Sequence, residues 1–355
     1  MKECTRCLFD ESIAEIGEHQ CEYCDLHDQL ESQANPQDLK KVIDAVKKAG
    51  KDKKYDCIMG ISGGQDSSVL LYTAVRYWNL NPLVIHFDNH WNAPEAIHNM
   101  KQLILKLNVD SINFTVNKAE YDRLNDAFLS AGVPDADIPN DIAMTKLMYD
   151  TAYKNGIKYI LNGHDFRTEG STPKGWTYMD AKYIESVYNK YTGLKLMNYP
   201  LFTFKDQLFY AAIGIKNIRP FHYNFDRDTM ESEMKRLINW QDYGGKHCEN
   251  VYTEFVGSFL LPEKFNIDKR IVYLSAQVRS GKLTKEEAKE KLAVKSQFDF
   301  AKLGTSAERM LRLVNMRLGT RDTYDKYNFK KYKYLILLLV KLKVIPYTFY
   351  IKYCL

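Results

Sequence analysis

Long apolar segments are missing from this sequence of 355 residues. The first residues, MKECTRCLFDES, contain no apolar segment of the kind that a secretory signal needs, so we predict a cytoplasmic protein. The longest aliphatic stretch of the C-terminal segment, at residues 335–340, is far shorter than the roughly 20 apolar residues of a membrane span. The pattern therefore favours a globular protein that does not cross a membrane.

A strong excess of one charge is also absent. The formal net charge is +5, from 50 Lys and Arg against 45 Asp and Glu. Residues 321–355 contain eight basic and two acidic residues, so the remaining chain has 42 basic and 43 acidic residues. A near-neutral body argues against a dedicated nucleic-acid-binding protein, which usually carries a basic stripe. We therefore predict that no nucleic acid is a partner.

Cysteine is scarce after residue 24 but dense before it. Four of the seven cysteines form the pairs Cys4-x-x-Cys7 and Cys21-x-x-Cys24. With no secretory signal in view, metal binding explains these pairs better than disulfides do. Two such pairs complete a tetrahedral shell of four thiolates, which predicts a structural zinc ion. Four unrelated reduced thiols and an iron–sulfur cluster are the alternatives.

The order of apolar segments divides the chain into three parts. Residues 1–33 form a small cysteine-bearing unit, and residues 34–200 alternate short apolar strands with amphipathic helices. This alternation predicts an α/β domain with a parallel sheet, whose ligands bind beyond the carboxyl ends of the strands. Residues 201–355 have a mainly helical pattern, which predicts a region that binds a substrate or partner and ends in a basic, apolar tail.

A glycine-rich segment follows the first predicted strand, in YDCIMGISGGQDSS. Gly63 and Gly64 permit positive φ and close approach, and the N–H groups at the start of the next helix favour phosphate. Hydroxyl groups add further donors, from Ser62, Ser67 and Ser68. The segment lacks the spacing and lysine of a Walker A motif and has Asp66 instead, which predicts Mg²⁺ between this acid and a polyphosphate. An ordinary Gly-Gly turn is the alternative.

Two strand ends resemble one superfamily. SGGQDSS resembles the SGGxDS signature of the PP-loop ATP pyrophosphatases, which cleave ATP between its α and β phosphates. NGHDFRTEG resembles their later G-H-x-x-[DE] segment, although His164 could instead be a capping or core-edge residue. The resemblance implies an ATP site formed by Ile61, Ser62, Gly63, Gly64, Asp66, Ser67, Ser68, Phe87, Gly163 and His164. It also implies Mg²⁺ held by Asp66, Asp165 and Glu169.

The downstream half contains NWQDYGGKHCENVYTEFVGSFLLPEKFNIDKR, followed by LSAQVRSG. It resembles the N-acetyl sugar amidotransferases of surface-polysaccharide (LPS O-antigen) biosynthesis. Their pattern runs W-x-D-Y-G-G-K-H, T-x-F, L-P-x-K-F-x-I-D-K-R and L-S-x-x-x-x-S-G. The paired cysteines also belong to that family. Cys248 stands where we would expect a second histidine, so we assign it no role.

The resemblance implies that an acetamido group on a nucleotide-activated sugar becomes an acetamidino group. ATP adenylates the carbonyl oxygen and releases pyrophosphate, and ammonia then displaces AMP. No glutaminase-like cysteine is evident, so ammonia is expected from a separate glutaminase and a barrel subunit, a pair like imidazole glycerol phosphate synthase. Besides Asp66, the catalytic candidates are Lys246, His247, Lys269 and Arg270. These residues could clamp the sugar diphosphate, a sugar carboxylate or the α-phosphate, and ordinary surface charge is the alternative.

Several interpretations stay open at this point. The tail could pack on the body, dock a partner or make peripheral contact with an anionic membrane. The whole protein could instead be a PP-loop tRNA-modifying enzyme, or a non-catalytic zinc-bearing assembly subunit. The near-neutral body, and the lack of a further cysteine pair for sulfur transfer, argue against the tRNA-modifying enzyme.

Overall fold

The apolar segments predicted as strands form one parallel sheet. A computed structural model describes residues 2–315, 318–341 and 347–354. The strands are β1 (Cys57–Gly60), β2 (Pro82–Asp88), β3 (Ser111–Thr115), β4 (Tyr159–Leu161) and β5 (Lys216–Ile218). Their order across the sheet is β3-β2-β1-β4-β5, and all neighbouring strands are parallel. The predicted α/β fold with a parallel sheet is therefore confirmed.

Helices precede the sheet and connect its strands. They are α1 (Glu22–Ser32), α2 (Pro36–Gly50), α3 (Gln65–Arg76), α4 (Pro94–Leu107), α5 (Lys118–Ala131), α6 (Ile138–Lys154), α7 (Ala181–Thr192), α8 (Phe204–Ala212) and α9 (Arg227–Ile238). The Asn35 side chain accepts a hydrogen bond from the N–H of Gln37 at the start of α2. Asparagine satisfies the free N–H groups of a first turn, which is why the helix begins there.

The remainder of the chain is mainly helical, as predicted. Its helices are α10 (Val251–Phe255), α11 (Leu261–Phe265), α12 (Arg270–Arg279), α13 (Lys285–Ala293), α14 (Ala307–Val314), α15 (Lys333–Lys341) and α16 (Tyr347–Cys354). A π-helical turn (Val256–Leu260) joins α10 to α11. Short 3-10 segments lie at Pro220–His222, Phe300–Ser306, Arg321–Thr323 and Lys330–Tyr332.

The fifth strand was not predicted. It lies beyond residue 200, pairs with β4 through Ile160 and Asn217, and has two exposed residues among its three. A short edge strand buries little apolar surface, so it shows neither an alternating nor a continuous apolar pattern. The sheet therefore takes one strand from the region predicted as helical, and the domain boundaries at residues 33 and 200 remain predictions.

Both faces of the sheet are covered. Ile58 and Ile160 belong to the apolar cluster on one face, and their neighbours Met59 and Leu161 belong to the cluster on the other. Parallel sheets are usually buried in this way because the connecting helices pack on both sides. Polar groups from the strand ends are consequently concentrated at the carboxyl edge, where the candidate site lies.

The tail packs on the body along one side. Ile336, Phe349 and Cys354 are buried together, with Phe204 and Phe329 packed against them. On the other side of α15, three large side chains are exposed, from Tyr334, Leu335 and Leu338. No helix in the described part of the chain has the length and apolar character needed to cross a membrane. Residues 342–346 and 355 of the predicted tail lie outside the described residues.

Candidate functional site

The segment after β1 makes a tight turn into α3. Gly63 has a φ of +78°, and a Cβ at this position would collide with the carbonyl oxygen of Ala96. The N–H of Gly64 donates to Oγ of Ser62 at 3.1 Å, and the Ser67 hydroxyl donates to the Gly64 carbonyl at 3.1 Å. Only glycine fits at position 63, and the loop backbone is held by its own serines.

The start of α3 offers an anion site. Gly64 is the N-cap, and the N–H of Gln65 donates to the hydroxyl of Tyr243 at 2.8 Å. The Ser68 hydroxyl is buried and has no hydrogen-bond partner among the described residues. A helix start with free N–H groups and a positive dipole end favours phosphate. This is the arrangement predicted from the glycine-rich sequence.

The segment after β4 lies directly beside this loop. A Cβ on Gly163 would lie 3.3 Å from the carbonyl oxygen of Asp66 and 3.4 Å from the backbone nitrogen of Ser67. The N–H of Glu169 donates to the carbonyl of Asp165 at 2.8 Å, which closes a turn. The two polar strand ends meet because β1 and β4 are neighbours in the sheet.

Two cations bridge the acids that were predicted to bind Mg²⁺. Arg227, the first residue of α9, forms ion pairs with Asp66 through Nη2 and with Asp165 through Nη1. Lys246 Nζ lies 2.9 Å from Oδ2 of Asp66 and 3.6 Å from Oε1 of Glu169. The three acids and Lys246 therefore come together as the two resemblances imply, whereas Arg227 was not predicted.

The acids differ in their charge states. Burial opposes the ionisation of Asp66, but the charges of Lys246 and Arg227 outweigh it and hold the pKa of this carboxyl below its usual range. Burial raises the pKa of Glu169 well above its usual range, although Lys246 opposes the shift. The cluster thus favours an ionised Asp66 beside a protonated Glu169.

One carboxylate of the acid cluster, that of Asp66, could hold a magnesium ion that arrives with its nucleotide. Mg²⁺ is usually held by one or two carboxylates together with substrate phosphates and water. Asp66 supplies an ionised carboxylate at the phosphate-binding end of α3. Within the described residues, only the four N-terminal cysteines bring three or more metal-ligating groups within 4.8 Å of one another. Mg²⁺ at the acids remains a prediction.

The segment at residues 240–250 lies over the glycine-rich loop at residues 61–68, which we call the phosphate loop. Its backbone is fixed to the segment after β2, because Ala93 N donates to the Glu249 carbonyl at 2.9 Å and Val251 N donates to the Trp91 carbonyl at 2.7 Å. The side chain of Glu249 contacts Gly64, where a Cβ would lie 2.9 Å from Oε1. This segment therefore brings the sequence motif around Lys246 to the strand ends.

His247 is held in an unusual conformation. Its φ is +63°, and its ring centroid lies 5.3 Å from that of Tyr273. Burial, together with the charges of Lys246 and Lys269, lowers the pKa of His247 to about 3. The imidazole is therefore neutral near pH 7, so it is suited to a hydrogen bond with a substrate rather than to a charge contact with a diphosphate.

Lys269 and Arg270 differ in their contacts. The ammonium of Lys269 has no ion-pair or hydrogen-bond partner among the described residues, although its charge acts on His247. Arg270 makes a bidentate contact with Asp268 and donates to the carbonyl oxygens of Leu292 and Val294. Lys269 is therefore available to bind a ligand. The guanidinium of Arg270 is already occupied by Asp268 and the two carbonyl oxygens, so its contacts stabilise the start of α12.

The other predicted ATP-binding residues occupy the floor and rim of the site. Ile61 is buried and its N–H donates to the Ile85 carbonyl at 2.9 Å. Phe87 is also buried and stacks on Phe114, with 6.3 Å between ring centroids. His164 is more exposed than either, and burial lowers its pKa to about 4. Ile61 and Phe87 therefore support the loop from within the core.

His164 has two side-chain partners. Its Nδ1 lies 3.2 Å from Nε2 of His222, and its Nε2 lies 3.7 Å from Oε2 of Glu169. His222 was not predicted, because it ends a short 3-10 segment 58 residues further along the chain. Nor were Tyr243 and Glu249, although both lie within three residues of Lys246 in the quoted motif. That adjacency was the signal that would have found them.

The four N-terminal cysteines form a second site. All are buried, and the Sγ atoms are 3.6 Å apart for Cys7 and Cys21, 3.6 Å for Cys21 and Cys24, and 3.7 Å for Cys4 and Cys24. Zn–S bonds of about 2.3 Å at tetrahedral angles give sulfur separations of about 3.8 Å. The spacing fits one tetrahedral ion better than an iron–sulfur cluster, whose metal–sulfide core would hold the thiolates further apart.

A cation from the C-terminal region contacts this second site. Arg279, the last residue of α12, places Nη2 3.2 Å from Sγ of Cys7, and its carbonyl accepts from Arg6 at 3.0 Å. Lys285 donates to the Cys4 carbonyl at 2.6 Å. A shell of four thiolates around a divalent ion carries a net negative charge, which a buried guanidinium offsets.

Comparison with known families bears on the C-terminal region. Residues 249–337 match the family model for the C-terminal domain of LPS biosynthesis protein WbpG-like sequences. We call these matched residues the WbpG-like region. This match confirms the resemblance to surface-polysaccharide biosynthesis proteins. The WbpG-like region begins at Glu249, beside the phosphate loop, and also contains Lys269, Arg270 and Arg279.

A further match covers most of the chain. The uncharacterized protein MJ1599 of Methanocaldococcus jannaschii is 25% identical over 262 residues, which are 72% of this chain and 78% of that protein. Its name carries no activity, so this similarity says nothing about the reaction.

Three enzymes are among the solved structures with a general likeness to this chain. NMN synthetase from Francisella tularensis aligns with a TM-score of 0.34 and 13% identity, over 79% of this chain and 96% of that one. The U34-tRNA thiolase NcsA from Methanococcus maripaludis, with its [4Fe-4S] cluster, aligns with a TM-score of 0.33 and 10% identity, over 92% of this chain and 99% of that one. The NH3-dependent NAD synthetase from Campylobacter jejuni aligns with a TM-score of 0.29 and 10% identity, over 74% of this chain and 96% of that one. With scores this low, the fold of this chain is judged from its own sheet and loop.

Proposed function

We propose that this protein is an ATP-dependent amidotransferase of surface-polysaccharide biosynthesis. It would convert the acetamido group of a nucleotide-activated sugar into an acetamidino group, with AMP and pyrophosphate as the other products. The WbpG-like match of residues 249–337 supports the pathway class. The observation that carries the reaction type is the contact between Lys246 and Asp66, which joins the segment that resembles the amidotransferase pattern to the loop after β1.

The proposed chemistry begins at the amide oxygen of the sugar. An amide carbonyl is a poor electrophile, and adenylation of its oxygen turns that oxygen into a leaving group. The N–H groups at the start of α3 would bind the departing pyrophosphate, and Lys246 would offset charge on the α-phosphate. Mg²⁺, when bound at Asp66, would neutralise further phosphate charge. Ammonia would then displace AMP, which leaves with the amide oxygen.

Neither Cys57 nor Cys248 suits a glutaminase. Cys57 is fully buried in β1, and burial raises the pKa of Cys248 to about 12, so its thiol is protonated at neutral pH. A nucleophilic cysteine needs the opposite shift. A separate glutaminase with an ammonia-conducting barrel subunit is therefore part of the proposal. So is a cytoplasmic location, where ATP and nucleotide sugars are available.

Zinc is the proposed ion of the four-cysteine site. The sulfur separations and the buried, closed shell favour a structural ion over a catalytic one. Metal analysis of the purified protein would show about one zinc per chain. A visible absorbance band from iron and sulfide would instead show that the site holds an iron–sulfur cluster and not zinc.

The test of the reaction is isotope exchange between labelled pyrophosphate and ATP, with a panel of UDP-linked N-acetyl sugars. We expect exchange that depends on one or a few of these sugars. Addition of ammonium should then release AMP. Release of ADP, or exchange stimulated by tRNA instead of a sugar, would contradict the proposal. Nucleotide binding without any exchange would favour a scaffold role.

A further inference from the structure

The outer face of α15 presents apolar side chains to water. Tyr334, Leu335 and Leu338 are between 52% and 77% exposed, whereas Ile336 is buried against the body of the protein. Residues three and four apart share one face of a helix, so positions 334, 338 and 341 form one stripe with 335 beside it. Lys341 is exposed and ends this stripe. The helix therefore has a second apolar face, which the body of the protein does not cover.

Basic side chains lie at both ends of this stripe. Lys330 and Lys331 are exposed in the 3-10 segment just before α15, and Lys341 is the last residue of the helix. None of these three lysines has an ion pair within residues 2–315, 318–341 and 347–354. Lys333 lies over the ring of Tyr334, with 5.0 Å between its Nζ and the ring centroid. The apolar stripe is thus flanked by positive charge that the described residues do not neutralise.

The sequence of the tail contains no acid to offset these lysines. Asp325 is the last acidic residue, and seven lysines follow it in residues 326–355. The preceding acid, Asp322, is paired with Lys326 at 3.0 Å. A group of lysines without counter-charges attracts a negatively charged surface. The charge of this face therefore complements an anionic partner.

The composition of the face distinguishes a lipid surface from a protein partner. Contact surfaces between proteins are depleted in lysine, whereas the surface of an anionic bilayer attracts it. Tyr332 and Tyr334 are each more than half exposed. Tyrosine suits the boundary between lipid headgroups and acyl chains, because its ring is apolar and its end is polar. With nine residues, α15 is too short to cross a bilayer but long enough to lie in its surface.

We propose that this face of α15 is a peripheral binding site for a membrane surface that contains anionic lipid. The helix lies parallel to the bilayer, with Tyr334, Leu335 and Leu338 below the headgroups. The lysines at its two ends contact lipid phosphates. Binding is reversible, because a short apolar stripe and a few charges each supply only part of the affinity. The inference does not depend on the reaction proposed above.

The test is flotation of the full-length protein with lipid vesicles. One set of vesicles is phosphatidylcholine alone, and the other contains about 30% phosphatidylglycerol. We expect at least about tenfold stronger binding to the anionic vesicles at about 0.1 M salt, and most of it should be lost at about 0.5 M salt, because salt screens the attraction.

Two pairs of substitutions separate the apolar and the charged contributions. Leu335→Ser together with Leu338→Ser removes the apolar stripe and should weaken binding to both sets of vesicles, at least about tenfold for the anionic set. Lys331→Gln together with Lys341→Gln removes one charge at each end. This pair should weaken binding to the anionic vesicles about 10- to 30-fold and leave binding to the neutral vesicles unchanged.

Matched controls make the same chemical changes elsewhere. Leu105→Ser with Leu194→Ser alters leucines that are 71% and 49% exposed, and Lys47→Gln with Lys48→Gln removes two exposed lysines in the last turn of α2. Both control proteins should bind vesicles as wild type does. All four variants should keep the urea midpoint of wild type, because the altered side chains are exposed.

Several outcomes would overturn the proposal. They are no binding of wild type to either set of vesicles, equal binding to both sets, and unchanged binding after the substitution of Leu335 and Leu338. A wild-type dimer that this leucine pair converts into a monomer, without any binding to vesicles, would assign the face to a second copy of the chain instead. Sedimentation velocity of wild type and variant distinguishes this case.

Discussion

The two sites of this protein differ in how their residues are distributed along the chain. All four cysteines of the metal site lie within residues 4–24, as two pairs of fixed spacing. The phosphate site draws on residues 61–68, 163–169, 227 and 243–249. Spacing therefore identifies the first site almost completely, whereas the second depends on which strands become neighbours.

The first prediction separates the sites by function. Asp66→Asn should reduce sugar-dependent pyrophosphate exchange by at least about 100-fold, because the ionised carboxylate is lost from the start of α3. The metal content and circular dichroism should be unchanged, because the ion pairs of Asp66 are with Arg227 and Lys246 and not with the cysteine unit. Exchange near the wild-type level would contradict the proposed magnesium role of Asp66.

The second prediction addresses the other site. Cys4→Ser should lower the metal content from about one ion per chain to near zero and reduce the unfolding free energy by several kcal/mol. Metal analysis and urea denaturation measure the two effects. Unchanged metal content together with an unchanged urea midpoint would show that the four thiols are not a metal site.

The third prediction concerns the turn that the phosphate site requires. Gly63 and Gly156 both have positive φ, but only Gly63 has a neighbour, the Ala96 carbonyl, where a Cβ would stand. Gly156→Ala should cost about 1–2 kcal/mol from backbone conformation alone. Gly63→Ala should cost about 1–3 kcal/mol more, from overpacking, and should weaken ATP binding. Equal urea midpoints for the two variants would mean that the loop can move away from Ala96.

The fourth prediction concerns the pH dependence of stability. The folded-state pKa of Glu249, about 7, is above that of an unfolded glutamate. The folded protein therefore binds more protons, and this carboxyl makes stability decrease as pH rises from about 4.5 to 7. As pH rises from 5 to 8, the stability of Glu249→Gln should therefore increase relative to that of wild type, as measured by urea denaturation. A constant difference across this range would show that Glu249 has an ordinary pKa.

Sequence patterns predicted the elements whose signals are local in the sequence. The strands β1 to β4, the start of α2 at Asn35 and the cysteine unit follow from apolar runs, capping preferences and spacing. The loop at Gly63 and the acids near it were also predicted, because both strand ends have polar motifs. The strand β5 was missed because an exposed edge strand has little apolar signal.

The residues missed at the phosphate site share a different cause. Arg227 begins an ordinary helix after Asp226, which caps it, and no local pattern marks its side chain as functional. Its importance comes from Asp66 and Asp165, which lie far from it along the chain and are brought to it by the order of the strands. Contacts of this kind are set by tertiary packing and have no signature in a single sequence.

The contact of Arg279 with the cysteines makes the three parts of the chain interdependent. Helix α12 ends at this arginine, and its Val272 packs both in the cysteine cluster and near Gly170, one residue after Glu169. Trimming the first 33 residues would leave a buried guanidinium without its thiolate partners and an apolar strip open to water. The cysteine unit therefore supports the position of α12 beside the phosphate site. A protein shortened in this way would keep every candidate reacting group but would lose activity, because those groups would no longer be held in place.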